Sequence, residues 1–173
     1  MAEHRLAQGG PGPADREGAA ADGSVPVTFL AAKAGHGGSE RYLEVLVSTL
    51  GPAWVDRIFS LEDGPLDLWL ALNDNIADGR DVSWIWDADF ELLAHRVRRV
   101  TCSGTRAEEM ALRLKYAGVD GEIAVERDVG DSLDAAVADG DGGRPLIALP
   151  TYTAMLELRE LLTRRGLARR WAG

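Results

Sequence analysis

The chain has 173 residues, 28 of them acidic and 19 basic, for a formal net charge of -9. That length suits one folded unit with a sizeable core, and the charge excludes a phosphate-tracking nucleic-acid surface. Cys102 is the only cysteine, so neither an intramolecular disulfide nor a thiolate zinc site can be built, and a reducing cytoplasmic setting is expected. No apolar run is long enough to cross a bilayer, so no transmembrane segment is expected.

Residues 1–24 are rich in Gly, Ala, Pro and charge. They carry too little apolar surface to offset the entropy of ordering, and a disordered tail or linker is expected there. The domain proper is expected over residues 25–173. Pro26 to Ala32 reads as a strand, Gly35 to Gly38 as a turn, and Ser39 to Leu50 as a helix. The loop Lys33 to Ser39 (KAGHGGS) has backbone amides that suit an anion, with Lys33 and His36 beside them, but glycines easing a tight turn account for it equally. A dinucleotide fingerprint fails because Glu40 stands where glycine is required, and the pattern G-x-x-x-x-G-K-[ST] is absent. No ATP site is therefore expected in this chain.

Further strands are predicted at Arg57 to Leu61 and Leu66 to Leu72. The second, LDLWLAL, is almost wholly apolar, as a strand buried on both faces requires. Its carboxyl end leads into NDNIADGRDVSWIWDADFE, Asn73 to Glu91. In open α/β sheets such loops converge on a crevice, which makes Asn73, Asp74, Asn75, Asp78, Arg80 and Asp81 the candidate site residues. A calcium loop centred on Gly79 fails, since Ile76 and Ile85 fall at ligand positions. Magnesium needs no fixed motif, and Asn and Asp side chains that satisfy backbone donors around Gly79 are the plain alternative.

A helix is predicted from Ser83 or Asp87 to His95, and a strand over Val97 to Cys102. Cys102 reads as a small buried residue at a strand end rather than a nucleophile. Thr105 and Glu108 form a capping-box pattern for a helix that buries Ala107, Met110, Ala111, Leu114 and Ala117 and ends at Gly118. A strand over Ile123 to Glu126, a helix whose first turn holds Asp131 and Asp134, a turn at Gly140 to Gly143 and a strand over Pro145 to Leu149 follow. Thr151 opens the closing helix, with Ala154, Met155, Leu158, Leu161 and Leu162 on its core stripe. The alternation predicts a single Rossmann-like α/β domain: a mostly parallel sheet with helices on both faces and right-handed crossovers.

Three blocks in order, NDNIADGRDVSWIWDADFE, SGTRAEEMALRLKYAG (Ser103 to Gly118) and LPTYTAMLELRELL (Leu149 to Leu162), resemble the C-terminal domain of MurT, the ligase subunit of lipid II isoglutaminyl synthase. The fold this implies is that of a Mur-ligase C-terminal domain. The resemblance implies a part in amidating the D-glutamate α-carboxyl of the lipid II stem peptide, with ammonia released from glutamine by a partner, GatD. It further implies that an aspartate of this domain completes the partner's Cys-His pair across the interface. Asp78 is the first choice for that aspartate and Asp81 the alternative, while Asn73, Asp74, Asn75 and Arg80 belong to the partner or substrate loop. A carboxylate that fixes the tautomer of a neighbouring imidazole and stabilises its charged form has a clear chemical use.

MurT-like subunits also carry a Mur-ligase ATP-binding domain and a cysteine-rich zinc ribbon, whereas this sequence has neither motif, and AGHGG follows Lys33 where the family reads N-P-A-G. ATP and magnesium are accordingly implied only for the full complex, with a separate Mur-ligase-like ATP-binding subunit as a further partner. A split subunit, a truncated product and a repurposed relative all fit these departures. The competing readings are a non-catalytic interaction module that keeps the fold without the chemistry, and an independent Rossmann-like enzyme.

Overall fold

In the computed structural model, residues 64–139 and 146–166 are described with their side chains, and residues 27–32 and 41–46 by their backbone. The expected tail over 1–24, the glycine loop at 35–38, the strand at 57–61 and the turn at 140–143 lie outside the described residues. Six strands form one sheet in the order β1-β2-β6-β3-β4-β5. They are β1 (Val27–Ala32), β2 (Arg41–Leu46), β3 (Leu66–Ala71), β4 (Val97–Ser103), β5 (Glu122–Val125) and β6 (Leu146–Pro150). β1 and β2 pair antiparallel, and every other pairing is parallel.

The α/β class and the mostly parallel sheet hold. The expected helix over Ser39 to Leu50 does not, because its described part is β2. Tyr, Leu and Val in RYLEVL fit an alternating as well as a helical period, and in so short a run pairing with β1 and β6 decides.

β3 is buried along its whole length and sits between β6 and β4. Alternation along it feeds two cores. Leu66, Leu68, Leu70 and Leu72 pack with Val100 and Cys102 of β4 against helix α1 (Ala107–Tyr116). Trp69 and Ala71 pack on the other face against α2 (Val129–Ala138) and α3 (Tyr152–Arg164), where Leu133, Ala136, Ala154, Leu158 and Leu162 close the layer. Helices thus cover both faces, as expected.

Local details depart from the sequence reading in three places. No continuous helix runs from Ser83 to His95; two 3-10 turns, Ser83–Trp86 and Phe90–Leu93, stand there instead. The carbonyls of Ile85 and Ala88, which an α-helix would satisfy internally, accept from the buried Arg113 guanidinium at 2.8 and 2.7 Å. The capping box also does not form: Thr105 donates its hydroxyl to Asp74, and Glu108 turns to Arg127. The third departure is at α2, where Asp128 accepts from the amides of Gly130 and Asp131 and caps the helix earlier than Asp131 would. The core stripes of α1 and α3 hold, except that Ala111, Met155 and Leu161 are half-buried.

The chain leaves β3 towards the α1 face and β6 towards the α3 face. Strand order reverses between these two neighbours, so the loops that follow them border the crevice where α/β sheets place ligands and contacts. Among the described residues no helix is long and apolar enough to cross a membrane.

Candidate functional site

The loop after β3 is tied into both helices that flank the switch point. Asn73 is buried and uses nearly all of its polar capacity. Its amide donates to Thr151 Oγ1 at 3.0 Å, its side-chain nitrogen to Thr153 Oγ1 at 2.9 Å and Glu157 at 3.2 Å, and its side-chain oxygen accepts from the Thr105 amide at 3.0 Å. One asparagine therefore joins the entry of α1 to the entry of α3. Through its Oδ1 that linkage satisfies the Thr105 amide at the entry of α1, while its N-H groups go to side-chain oxygens of α3 and its cap.

Asp74 turns towards α1. It accepts from the Thr105 hydroxyl and the Arg106 guanidinium, both at 2.8 Å, and these bonds hold its carboxyl below the usual range, the Thr105 bond first. Arg106 bridges on to Glu109 at 2.6 Å. Asp74 is thus the anchor of an ion-pair chain along the rim.

Asp78 turns the other way. Its Oδ1 accepts from the Thr153 amide at 2.8 Å and its Oδ2 from the Thr153 hydroxyl at 2.5 Å, so both oxygens serve the first turn of α3. The side chain is half-buried. Gly79 follows with φ +84°, a left-handed conformation that glycine adopts without strain and that swings the chain outward. Exposed Arg80 and Asp81 come next.

Asp81 is held differently from the other two aspartates. Its Oδ1 accepts from the Ser83 amide at 2.8 Å, and the Ser83 side chain also hydrogen-bonds this carboxylate. The Ser83 backbone bond holds this carboxyl below the ordinary aspartate range, so it is ionised at neutral pH. Asn75, also exposed, donates to Thr153 Oγ1 at 2.8 Å.

The six candidates therefore divide. Asn73, Asn75 and Asp78 converge on Thr153, Asp74 joins α1, and Arg80 with Asp81 faces outward. The sequence reading missed Thr153, Thr151, Thr105 and Arg106, the residues that organise the loop. Their signal was present in P-T-Y-T and S-G-T-R, which were read only as helix starts. Among the described residues no group of three or more His, Cys, Asp or Glu side chains is placed to hold a metal ion. Cys102 is buried and its thiol is pushed up to about 12 by desolvation, so it is no nucleophile at neutral pH.

Gly104 shows how closely the two loops approach. At φ +89°, a Cβ built on it would lie 2.6 Å from both Asn73 Oδ1 and the Leu72 carbonyl. Gly104→Ala is expected to push Asn73 out of its network and to cost about 2–4 kcal/mol, from left-handed strain plus a broken buried hydrogen-bond set. Urea unfolding checks this; a loss under about 0.5 kcal/mol would contradict it.

The chain shares sequence with known proteins. Over 96 residues the chain is 47% identical to the lipid II isoglutaminyl synthase (glutamine-hydrolyzing) subunit MurT of Staphylococcus aureus (strain COL), covering 55% of this chain and 21% of that protein. Over 135 residues it is 36% identical to the MurT subunit of Streptococcus pneumoniae (strain ATCC BAA-255 / R6), covering 78% of this chain and 30% of that protein. The chain thus spans less than a third of the length of these relatives. A weaker structural likeness is to folylpolyglutamate synthase of Mycobacterium tuberculosis, with TM-score 0.41, 15% identity, and coverage of 73% of this chain and 30% of that one. The profile of the MurT ligase C-terminal family matches residues 53–155, which take in the β3 loop, α1 and the start of α3, and the chain belongs to that family.

Proposed function

We propose that this chain is a component of a glutamine-dependent lipid II isoglutaminyl synthase. It docks a GatD-like glutaminase and presents Asp81 to the partner's Cys-His pair. The observation that carries the choice of Asp81 over Asp78 is the allocation of their oxygens. Asp78 is half-buried and commits both to Thr153, whereas Asp81 stands exposed and is tethered only to the neighbouring Ser83 among the described residues. An imidazole N-H from another chain needs an ionised acceptor that is accessible yet fixed in direction, and the Ser83 amide provides the fixing.

In this reading the partner's thiolate attacks the glutamine carboxamide. Its histidine carries the proton to the departing ammonia, and Asp81 stabilises the imidazolium and holds its tautomer. The released ammonia then replaces the α-carboxylate oxygen of D-glutamate, a step that requires ATP activation of the carboxylate. No phosphate-binding loop pattern occurs in this sequence, and ATP and magnesium belong to another part of the complex.

The direct test is co-purification of this chain with a GatD-like glutaminase, followed by glutamine hydrolysis by the pair. A stable pair whose affinity falls at least about tenfold on Arg80→Glu is expected, because Arg80 shares the exposed segment with Asp81. Failure of the wild-type chain to bind would remove the proposal.

A further inference from the structure

We propose that Thr153 is a positioning residue for the glutaminase half-site, acting through Asp78 and Asn75 on the loop that carries Asp81. The inference rests on the reading above that Asp81 faces a partner's histidine. A threonine hydroxyl has one proton to donate and two lone pairs to accept with. Here all three are used by one loop: the hydroxyl accepts from Asn73 Nδ2 at 2.9 Å and Asn75 Nδ2 at 2.8 Å, and donates to Asp78 Oδ2 at 2.5 Å. The Thr153 amide adds a fourth bond, to Asp78 Oδ1 at 2.8 Å.

These bonds grip the loop at positions 73, 75 and 78. Downstream, Gly79 at φ +84° meets nothing within 4 Å of a hypothetical Cβ, and backbone bonds from the Asp78 amide to the Asn75 carbonyl at 2.9 Å and from the Gly79 amide to the Ile76 carbonyl at 3.4 Å close the turn within the gripped stretch. The direction of the segment bearing Arg80 and Asp81 is therefore set on one side by the Thr153 hub and on the other by the 3-10 turn that starts at Ser83. Thr153 itself touches no reacting atom. Its place at the start of α3, a helix packed on the opposite face of the sheet from α1, makes it the point where a rigid element supports the loop.

The chemistry specifies which substitutions matter. Valine keeps the shape of threonine but removes the donor and both lone pairs, leaving Asp78 one bond short, Asn75 Nδ2 without its acceptor and Asn73 Nδ2 with Glu157 alone. Serine keeps all three. The test measures glutamine hydrolysis by the wild-type chain, Thr153→Val, Thr153→Ser and Asp81→Asn, each bound to its glutaminase partner.

Thr153→Val is expected to lower kcat about tenfold or more while partner Kd changes less than about twofold, and Thr153→Ser to stay within about threefold of wild type. A misdirected carboxylate stabilises the imidazolium less, so the alkaline limb of kcat/KM should move to lower pH in Thr153→Val; a change in fold content alone would scale the profile without moving it. A Thr153→Val pair that hydrolyses glutamine within about twofold of wild type, beside an inactive Asp81→Asn pair, overturns the positioning role alone. Full activity of Asp81→Asn overturns the reading beneath it. If Thr153→Val does not fold, Asn75→Ala decides, because Asn75 is exposed and its loss leaves α3 intact: a drop of about two- to fivefold supports the hub and an unchanged rate overturns it.

Discussion

Asp81→Asn in the assembled pair is expected to lower glutamine hydrolysis by on the order of 10³-fold or more while leaving the complex together, because an amide neither stabilises an imidazolium nor fixes the productive tautomer. The substitution is nearly isosteric, and Oδ1 of asparagine can still accept from the Ser83 amide, so the loop keeps its shape. Asp78→Asn provides the contrast. It weakens two hydrogen bonds to Thr153 and should cost activity only through loop disorder, by roughly tenfold, a loss about equal to that of Thr153→Val since both break the same contact. Complete loss in Asp78→Asn beside an active Asp81→Asn pair would make Asp78 the acceptor for the partner's histidine, and an active Asp81→Asn pair by itself would end the assignment.

The pH dependence has a definite sign. The Ser83 amide holds the Asp81 carboxyl below its usual value, so the carboxylate is charged throughout the neutral and mildly acidic range. Glutaminase activity of the pair should therefore fall on acidification with the titration of the partner's own groups, and protonation of Asp81 should contribute only at lower pH still. The pH-rate profile of the complex reads this directly.

How far the sequence was legible follows from the range of the forces involved. β3 could be read because a short apolar run buried on both faces carries its own signal, and the stripe of α1 because Met110 and Leu114 repeat at helical spacing. The place of the loop after β3 was legible too, since a polar loop after a buried strand falls at a sheet's carboxyl edge by topology alone. The allocation of its aspartates was not. Asp78 and Thr153 lie 75 residues apart in sequence and meet at 2.5 Å, and nothing local distinguishes an aspartate that caps a distant helix from one that faces solvent. The Thr105-Glu108 box failed for a related reason. Asp74 and Arg127, brought in by the sheet, offered each residue a charged partner in place of the backbone cap. Ser83 to His95 misread as a helix because its carbonyls are satisfied by a side chain from elsewhere in the chain.

That side chain is Arg113, and its removal should have the largest effect on stability. It is 3% exposed, donates to the carbonyls of Ile85 and Ala88 and to Glu91, and lies over the rings of Phe90 and Trp86 with centroid distances of 5.3 and 5.6 Å. Arg113→Met fills much of the same volume but leaves the Ile85 carbonyl without its donor and the Ala88 carbonyl with the Phe90 amide alone, and the net cost should be about 3–5 kcal/mol. For a chain of this size that lowers Tm by roughly 10 °C. A buried pair can sometimes be replaced by apolar groups at little cost, but only when both partners go; here the backbone acceptors remain. Arg113→Lys should recover part of the loss, since lysine can reach one carbonyl but lacks the planar fork that serves two at once. Acid sensitivity should change as well. The Arg113 bond holds the Glu91 carboxyl below its usual value, so this pair favours the folded state above the ordinary glutamate range and loses that contribution as pH falls through the depressed value. Arg113→Met should lack this component of the acid response. Because Ile85 lies four residues beyond Asp81, loosening the 3-10 turn at Ser83–Trp86 also releases the second support of the segment bearing Asp81. Thermal unfolding and glutamine hydrolysis by the pair, measured on the same variants, should then fall in the order wild type, Arg113→Lys, Arg113→Met; a Met variant that unfolds within about 2 °C of wild type would show that the two carbonyls find other donors.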